Sequence, residues 1–247
     1  SVGKLTINNT LTLADNTAIE VDKANGTNDV IVASTVNHGG TLTVTNDLST
    51  AGGFTYTAGT VSWGTSRYFA WDSSQTITPG ALSFNSVGFS CNGCTFTISG
   101  NMAIAGNLDL YSWAASGTYN TINNGNLDVS GNVTVSGNAA NVSGYIGSAK
   151  VRFQSGAAQS IQNVTATAPS IPWVEQNNAA TTVTQLSQVQ LLSGGCMTIN
   201  AGTWNMNGYA LNVNGSITNS GTLRRGTNPS CGTLSYLSFT GNAAICP

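Results

Sequence analysis

The chain has 247 residues, of which 40% are hydrophobic and only 6% charged, and its formal net charge is −2; typical soluble domains carry about 25% charged residues. That balance excludes a disordered tail, which combines high charge with few apolar residues. It also excludes a nucleic-acid binder, because the seven basic residues are scattered, Arg224-Arg225 is their one adjacent pair, and no basic stripe exists to release counterions from phosphate.

The length suits one large β domain with a continuous core. No apolar run is long enough to span a bilayer, so no membrane insertion is expected. Ser1-Val2-Gly3-Lys4 leads straight into a strand pattern, with neither a basic n-region nor an apolar h-region of a signal peptide.

In chain order the apolar residues alternate rather than following a helical period. The pattern begins with Leu5-Thr6-Ile7, Leu11-Thr12-Leu13, Ile19-Glu20-Val21 and Leu42-Thr43-Val44. Each triplet turns two apolar side chains to one face with a polar one between. Residues 61–74 then break the rhythm with Trp63, Tyr68, Phe69 and Trp71 beside Arg67 and Asp72. Next comes Cys91-Asn92-Gly93-Cys94, followed by Phe96-Thr97-Ile98, Leu127-Asp128-Val129 and Val133-Thr134-Val135.

Gly100 and Gly106, then Gly125, Gly131 and Gly137, punctuate these short strands at a nearly constant step, and Gly202, Gly208, Gly215 and Gly221 resume it. Glycine and asparagine supply the left-handed backbone that a sharp corner needs. Short strands between such corners predict a single-stranded, right-handed parallel β-helix, a β-solenoid spanning residues 1–247 as one domain. Coils of about 20–24 residues, stacked about 4.8 Å apart, would give roughly ten turns and about 50 Å of rod. The alternative is an antiparallel β-sandwich, since Asn25-Gly26, Asn92-Gly93, Asn124-Gly125, Asn207-Gly208 and Asn214-Gly215 also suit hairpin turns.

Residues 165–180, with Pro169, Pro172 and Trp173, read as an irregular segment, and 224–247 as a C-terminal cap. The first strand has no comparable cap, so upstream residues are expected to continue the stack. Of the five cysteines, Cys91–Cys94 is expected to pair across its Asn-Gly turn and Cys231–Cys246 to clamp the cap, leaving Cys196 over. A metal at the first pair would want a second pair or a His-x-His, and the single histidine is His38. Disulfides point to an extracellular or cell-surface setting.

The stretch Gly202-Thr203-Trp204-Asn205-Met206-Asn207-Gly208-Tyr209-Ala210-Leu211-Asn212-Val213-Asn214-Gly215 resembles repeats of bacterial surface proteins, adhesin-like and secreted, built as parallel β-helices. Val151-Arg152-Phe153-Gln154-Ser155-Gly156 is similar to segments that precede such repeats. The resemblance is best over residues 95–225, and its motifs are degenerate. It implies a cell-surface rod. The glycine-asparagine steps also resemble phage tail fibres, which would imply a trimer.

Catalytic signatures are sparse. No Gly-x-Ser-x-Gly elbow, phosphate loop or calcium-binding glycine repeat occurs. Asp109 in Leu-Asp-Leu and Asp128 in Leu-Asp-Val occupy equivalent positions and, if stacked on neighbouring coils, would suit a polysaccharide-active enzyme or a calcium site.

The expectation is instead a non-enzymatic structural or adhesive protein with no cofactor and no metal, which contacts glycans, a host or cell-surface ligand, or further copies of itself. Trp63, Arg67, Tyr68, Phe69 and Trp71 are its candidate ligand-binding residues, because exposed rings suit the apolar faces of sugars. Trp113, Trp173 and Trp204 are expected to be buried singly. Ice binding is a further alternative: Thr10-x-Thr12, Thr41-x-Thr43, Thr55-x-Thr57, Thr76-x-Thr78 and Thr95-x-Thr97 are hydroxyl pairs, but their spacing is too uneven for one clean ladder.

Overall fold

A computed structural model describes residues 6–13, 32–38, 41–44, 47–113, 117–137, 143–165, 169–226 and 237–239. Among them there is no helix. The strands stack in parallel as a β-solenoid of about 7 turns.

Three sides make each coil. The first is a nine-stranded sheet of Leu48–Thr50, Tyr68–Trp71, Val87–Cys91, Leu108–Ser112, Val133–Gly137, Gln159–Asn163, Thr182–Gln185, Thr203–Asn205 and Thr222–Arg224. The second has five strands, from Phe54–Thr55 through Gln75–Thr78, Thr95–Ile98 and Asn120–Asn123 to Tyr145–Ile146. The third has seven, from Ser83–Phe84 through Asn101–Ile104, Asn126–Val129, Lys150–Phe153, Trp173–Gln176 and Met197–Ile199 to Ile217–Asn219.

The corners explain why coils form rather than hairpins. Asn124-Gly125 is a favourable hairpin dipeptide, and both residues have positive φ, 60° and 55°. Yet the flanking strands belong to different sides and pair with the coils before and after, not with each other. Gly125 sits against the carbonyl oxygen of Gly100 one coil earlier, where a Cβ would collide with backbone. Gly131 meets the Gly106 carbonyl in the same way. The glycine steps are therefore columns of close contact between coils. The antiparallel alternative falls with them.

Inward residues of each strand form the core. Tyr68, Val87, Leu108, Val133 and Ile161 are buried and follow one another in register on the first side. A fully buried Leu, Ile, Val or Phe contributes about 1.5–3 kcal/mol relative to exposure. No single short strand could hold together alone; the stack does so collectively.

Buried carboxamides close the corners. Gln159 Nε2 donates to the Val129 carbonyl at 3.0 Å, Gln176 Nε2 to the Thr181 carbonyl at 2.8 Å, and Gln185 Nε2 to the Ala210 carbonyl at 3.1 Å. Each of these carbonyls also accepts a backbone N–H from a neighbouring coil, that of Gln154, Thr203 and Val189 respectively, so the carboxamide takes its second lone pair.

The irregularities are smaller than the sequence suggests. Within 61–74, Thr60–Ser62 pairs with Thr41–Thr43 and Tyr68–Trp71 is a regular rung of the first side. Within 165–180, Trp173–Gln176 is a regular rung of the third side. The second side, however, thins to a single bridge at Ser170, between Gly144 and Gln190, and resumes as Val189–Leu191, Leu211–Val213 and Leu237–Phe239. Pro169 and Pro172 flank that bridge and cannot donate to a ladder.

Cys91 and Cys94 are joined by a disulfide, as expected. Cys196 is also disulfide-bonded, rather than left over, and its partner lies outside the described residues. Cys231 and Cys246 lie outside them too. Of the expected cap at 224–247, the described Leu237–Phe239 forms one more parallel rung.

Candidate functional site

Arg67-Tyr68-Phe69-Ala70-Trp71 lies on the first side, and strand alternation divides it between the two faces. Tyr68 and Ala70 point into the core, while Phe69 and Trp71 point outward. Tyr68 is 0% exposed, its hydroxyl 2.6 Å from Thr50 Oγ1, and burial pushes its phenol well above the usual tyrosine range, against the opposing effect of that hydrogen bond. Trp63, at the preceding corner, is 6% exposed and donates through Nε1 to the Ser83 carbonyl at 2.9 Å. Both rings pack with Phe84, at centroid distances of 5.3 and 5.4 Å. Of the five candidate residues, the fold therefore brings Arg67, Phe69 and Trp71 together on the surface and keeps Trp63 and Tyr68 in the core.

Neighbouring rungs complete the surface. One outward row runs Ser49, Phe69, Gly88, Asp109 and Thr134, and the next runs Trp71, Ser90, Tyr111 and Ser136. The Phe69 ring lies over Gly88, in space that a Cβ would take. The Arg67 guanidinium stands 5.1 Å from the centroid of that ring, with Nε 2.7 Å from Asp47 Oδ2 and Nη1 3.4 Å from Asp109 Oδ2. Burial raises the Asp109 pKa, and the Arg67 charge and hydrogen bond oppose that rise.

Trp113 follows the strand Leu108–Ser112. Its backbone N–H donates to the Cys91 carbonyl at 3.0 Å, and its indole Nε1–H donates to Ser90 Oγ at 2.5 Å. Ser90 is consequently buried although it stands in an outward row. The Trp113 ring meets Tyr111 edge-on, 5.7 Å between centroids. Trp113 is 46% exposed and Trp71 36%, so both indoles reach solvent.

Trp113 was expected to be buried singly. Its exposure was legible in Leu108-Asp109-Leu110-Tyr111-Ser112-Trp113, where strict alternation sends Asp109, Tyr111 and Trp113 to one face. Trp204 is fully buried, as expected, whereas Trp173 is half-buried on the outer row of the third side.

The adjoining corner is held firmly. Asn120 Oδ1, one coil on, accepts from the backbone N–H of Gly93 at 2.7 Å and of Cys94 at 3.3 Å, and Asn120 Nδ2 donates to the Cys91 carbonyl at 2.9 Å. The disulfide and this asparagine thus fix the strand end against which Trp113 docks.

No protein family, no curated protein and no solved structure matches the chain. What the site can do rests on its own side chains.

Asp109 and Asp128 are not stacked. Asp109 is in register with Gly88 and Thr134 on the first side, and Asp128 with Ala103 and Arg152 on the third. Each carboxylate meets an arginine instead: Asp109 meets Arg67, and Asp128 accepts from Arg152 Nη2 at 2.7 Å. Among the described residues no group of three or more His, Cys, Asp or Glu is placed to hold a metal ion. His38 ends the strand Val32–His38.

Proposed function

We propose that this chain is a non-catalytic structural and adhesive rod of an extracytoplasmic surface, which makes its contacts through the outward rows of the solenoid. The observation that carries this reading is the surface patch of Trp71, Tyr111 and Trp113 on a rigid, charge-poor stack. Two further features support it. Four of the described carboxylates, Asp47, Asp109, Asp128 and Glu175, each face a basic group, an arrangement suited to structure more than to proton transfer. Disulfide bonding at Cys91, Cys94 and Cys196 suits an oxidising setting. A bacterial cell surface is the setting implied by the resemblance to surface β-helix repeats.

The test is retention of the purified chain on whole cells and on immobilised polysaccharides, with product release measured in parallel. Retention without product release is the expected result. Release of saccharide products that is lost in Asp109→Ala or Asp128→Ala would make the chain an enzyme and overturn the reading. Light scattering should report a monomeric rod; a trimer would favour a fibre.

A further inference from the structure

We propose that the outer face of the three rungs Tyr68–Trp71, Val87–Cys91 and Leu108–Ser112, with Trp113 beside the last, is a binding platform for an extended, uncharged glycan lying along the solenoid axis. This rests on the adhesive reading above and names its ligand class and its residues.

Geometry is the first argument. Trp71 and Tyr111 stand in one outward row with Ser90 between them, two rung steps or about 10 Å apart, a length on the order of a disaccharide. Trp113 lies over the intervening Ser90. The aromatic surface therefore runs parallel to the axis across successive rungs, as an extended chain of pyranose rings requires.

The second argument is how the rings are held. The one donor of the Trp113 indole is already engaged by Ser90 Oγ, so the exposed part of this side chain offers a π face, not a hydrogen-bonding edge. That face carries negative quadrupole charge and attracts the weakly positive C–H bonds of a sugar's apolar side. Trp113 is further pinned through its backbone to Cys91, beside the disulfide corner. Little side-chain freedom is left to lose on binding.

Charge selects the ligand class. Beside the rings stand Asp47, Asp109 and Asp72, with Arg67 as the basic partner of the first two. The Arg67 guanidinium has five N–H donors, and its bonds to Asp47 and Asp109 leave donors for a sugar hydroxyl. The local excess of carboxylate repels polyanions such as uronate polymers. A neutral glycan meets the hydroxyl-matching groups without that repulsion.

The experiment is calorimetry and tryptophan fluorescence on the intact chain, with cellohexaose, chitohexaose and mannohexaose as neutral probes and oligogalacturonate as the anionic one. At least one neutral hexasaccharide should bind and shift the indole emission, and oligogalacturonate should not. Trp71→Ala and Trp113→Ala should each weaken binding at least ten-fold, while Trp173→Ala, on the third side, should leave it unchanged. Circular dichroism melts confirm that each variant is folded.

Preference for oligogalacturonate, undiminished binding in the Trp71→Ala/Trp113→Ala double variant, or self-association that this double variant abolishes in place of glycan binding would each overturn the platform. If the chain adheres to cells but ignores every neutral hexasaccharide, the platform falls and the adhesive rod stands. If it neither adheres nor binds, both fall.

Discussion

The outward rows of the first and third sides are built by the same alternation and put to opposite uses. On the third side Asp128, Arg152 and Glu175 follow one another in register, and Lys150 Nζ approaches Glu175 Oε2 at 3.5 Å. The hydrogen bonds that Arg152 donates to Asp128 push its guanidinium's pKa up. The charges of that row are spent on one another. On the first side, the Arg67 pairs are more exposed and the row beside them is aromatic, with indole faces open to solvent. A regular solenoid thus leaves its outward positions free to vary, and whether a side stiffens the rod or meets a partner depends on which side chains fall in one row.

The sharpest way to break this contrast is to remove the arginine from each side. Arg152→Met removes the charged partner of Asp128, which is largely buried at 18% side-chain exposure, and should cost about 2–3 kcal/mol in urea unfolding. Arg67→Met acts on side chains 31–39% exposed, where solvent screening limits the loss to about 1 kcal/mol or less. Equal losses would erase the distinction between the sides.

Reducing the disulfide corner is next in size. Cys91→Ser with Cys94→Ser should destabilise by about 2 kcal/mol, because the closed loop is short. It should also loosen Trp113, read as a red shift of indole emission.

Gly88→Ala adds a Cβ where the Phe69 ring now lies. The ring must swing away, at about 1 kcal/mol, and Arg67 loses the face it stands over. Any glycan binding should weaken with it, and a variant that binds normally would show that Phe69 and Arg67 lie outside the contact.

A smaller effect is expected from pH. Burial makes the folded state hold the Asp109 proton more tightly than the unfolded chain does. That contribution to stability is therefore present below the ordinary aspartate pKa and is lost as pH rises through the raised folded value. Asp109→Asn should flatten the melting temperature in the interval just above the ordinary aspartate pKa, with little change elsewhere. On the third side Asp128 is held by Arg152, and Asp128→Asn should lower stability at neutral pH.

The smallest expected signal is no thermal hysteresis at all. Thr76 aligns with Thr97, Thr95 with Thr121 and Thr55 with Thr78, so part of the second side does form hydroxyl rows. But Asn123 and Ile146 end the rows within a few rungs, and Thr41-x-Thr43 lies in a different sheet, paired with Thr60–Ser62.

These rows show where sequence reading reaches its limit. The hydroxyl pairs are visible in the sequence, and their uneven spacing argues against one clean ladder; the coils align a single member of one pair with a single member of the next, Thr76 with Thr97 and Thr55 with Thr78. Asp109 and Asp128 sit in matching triplets, but Asp128 comes before the chain has completed the coil that brings Thr134 into register with Asp109, so the two fall on different sides. An aromatic cluster in the sequence suggests a cluster on the surface, but alternation sends Tyr68 inward and a corner sends Trp63 inward.

By itself the sequence determined the β architecture, the corners, the Cys91–Cys94 link and, at each strand, which side chains face in and which face out. Those properties depend on residues a few positions apart: backbone alternation, glycine's freedom at a bend, and two thiols across one turn. Only the tertiary structure decided which outward residues share a row. Row partners are separated by a whole coil, and the length of each coil depends on how its corners pack against the coil before. Trp71, Tyr111 and Trp113 form one surface for that reason.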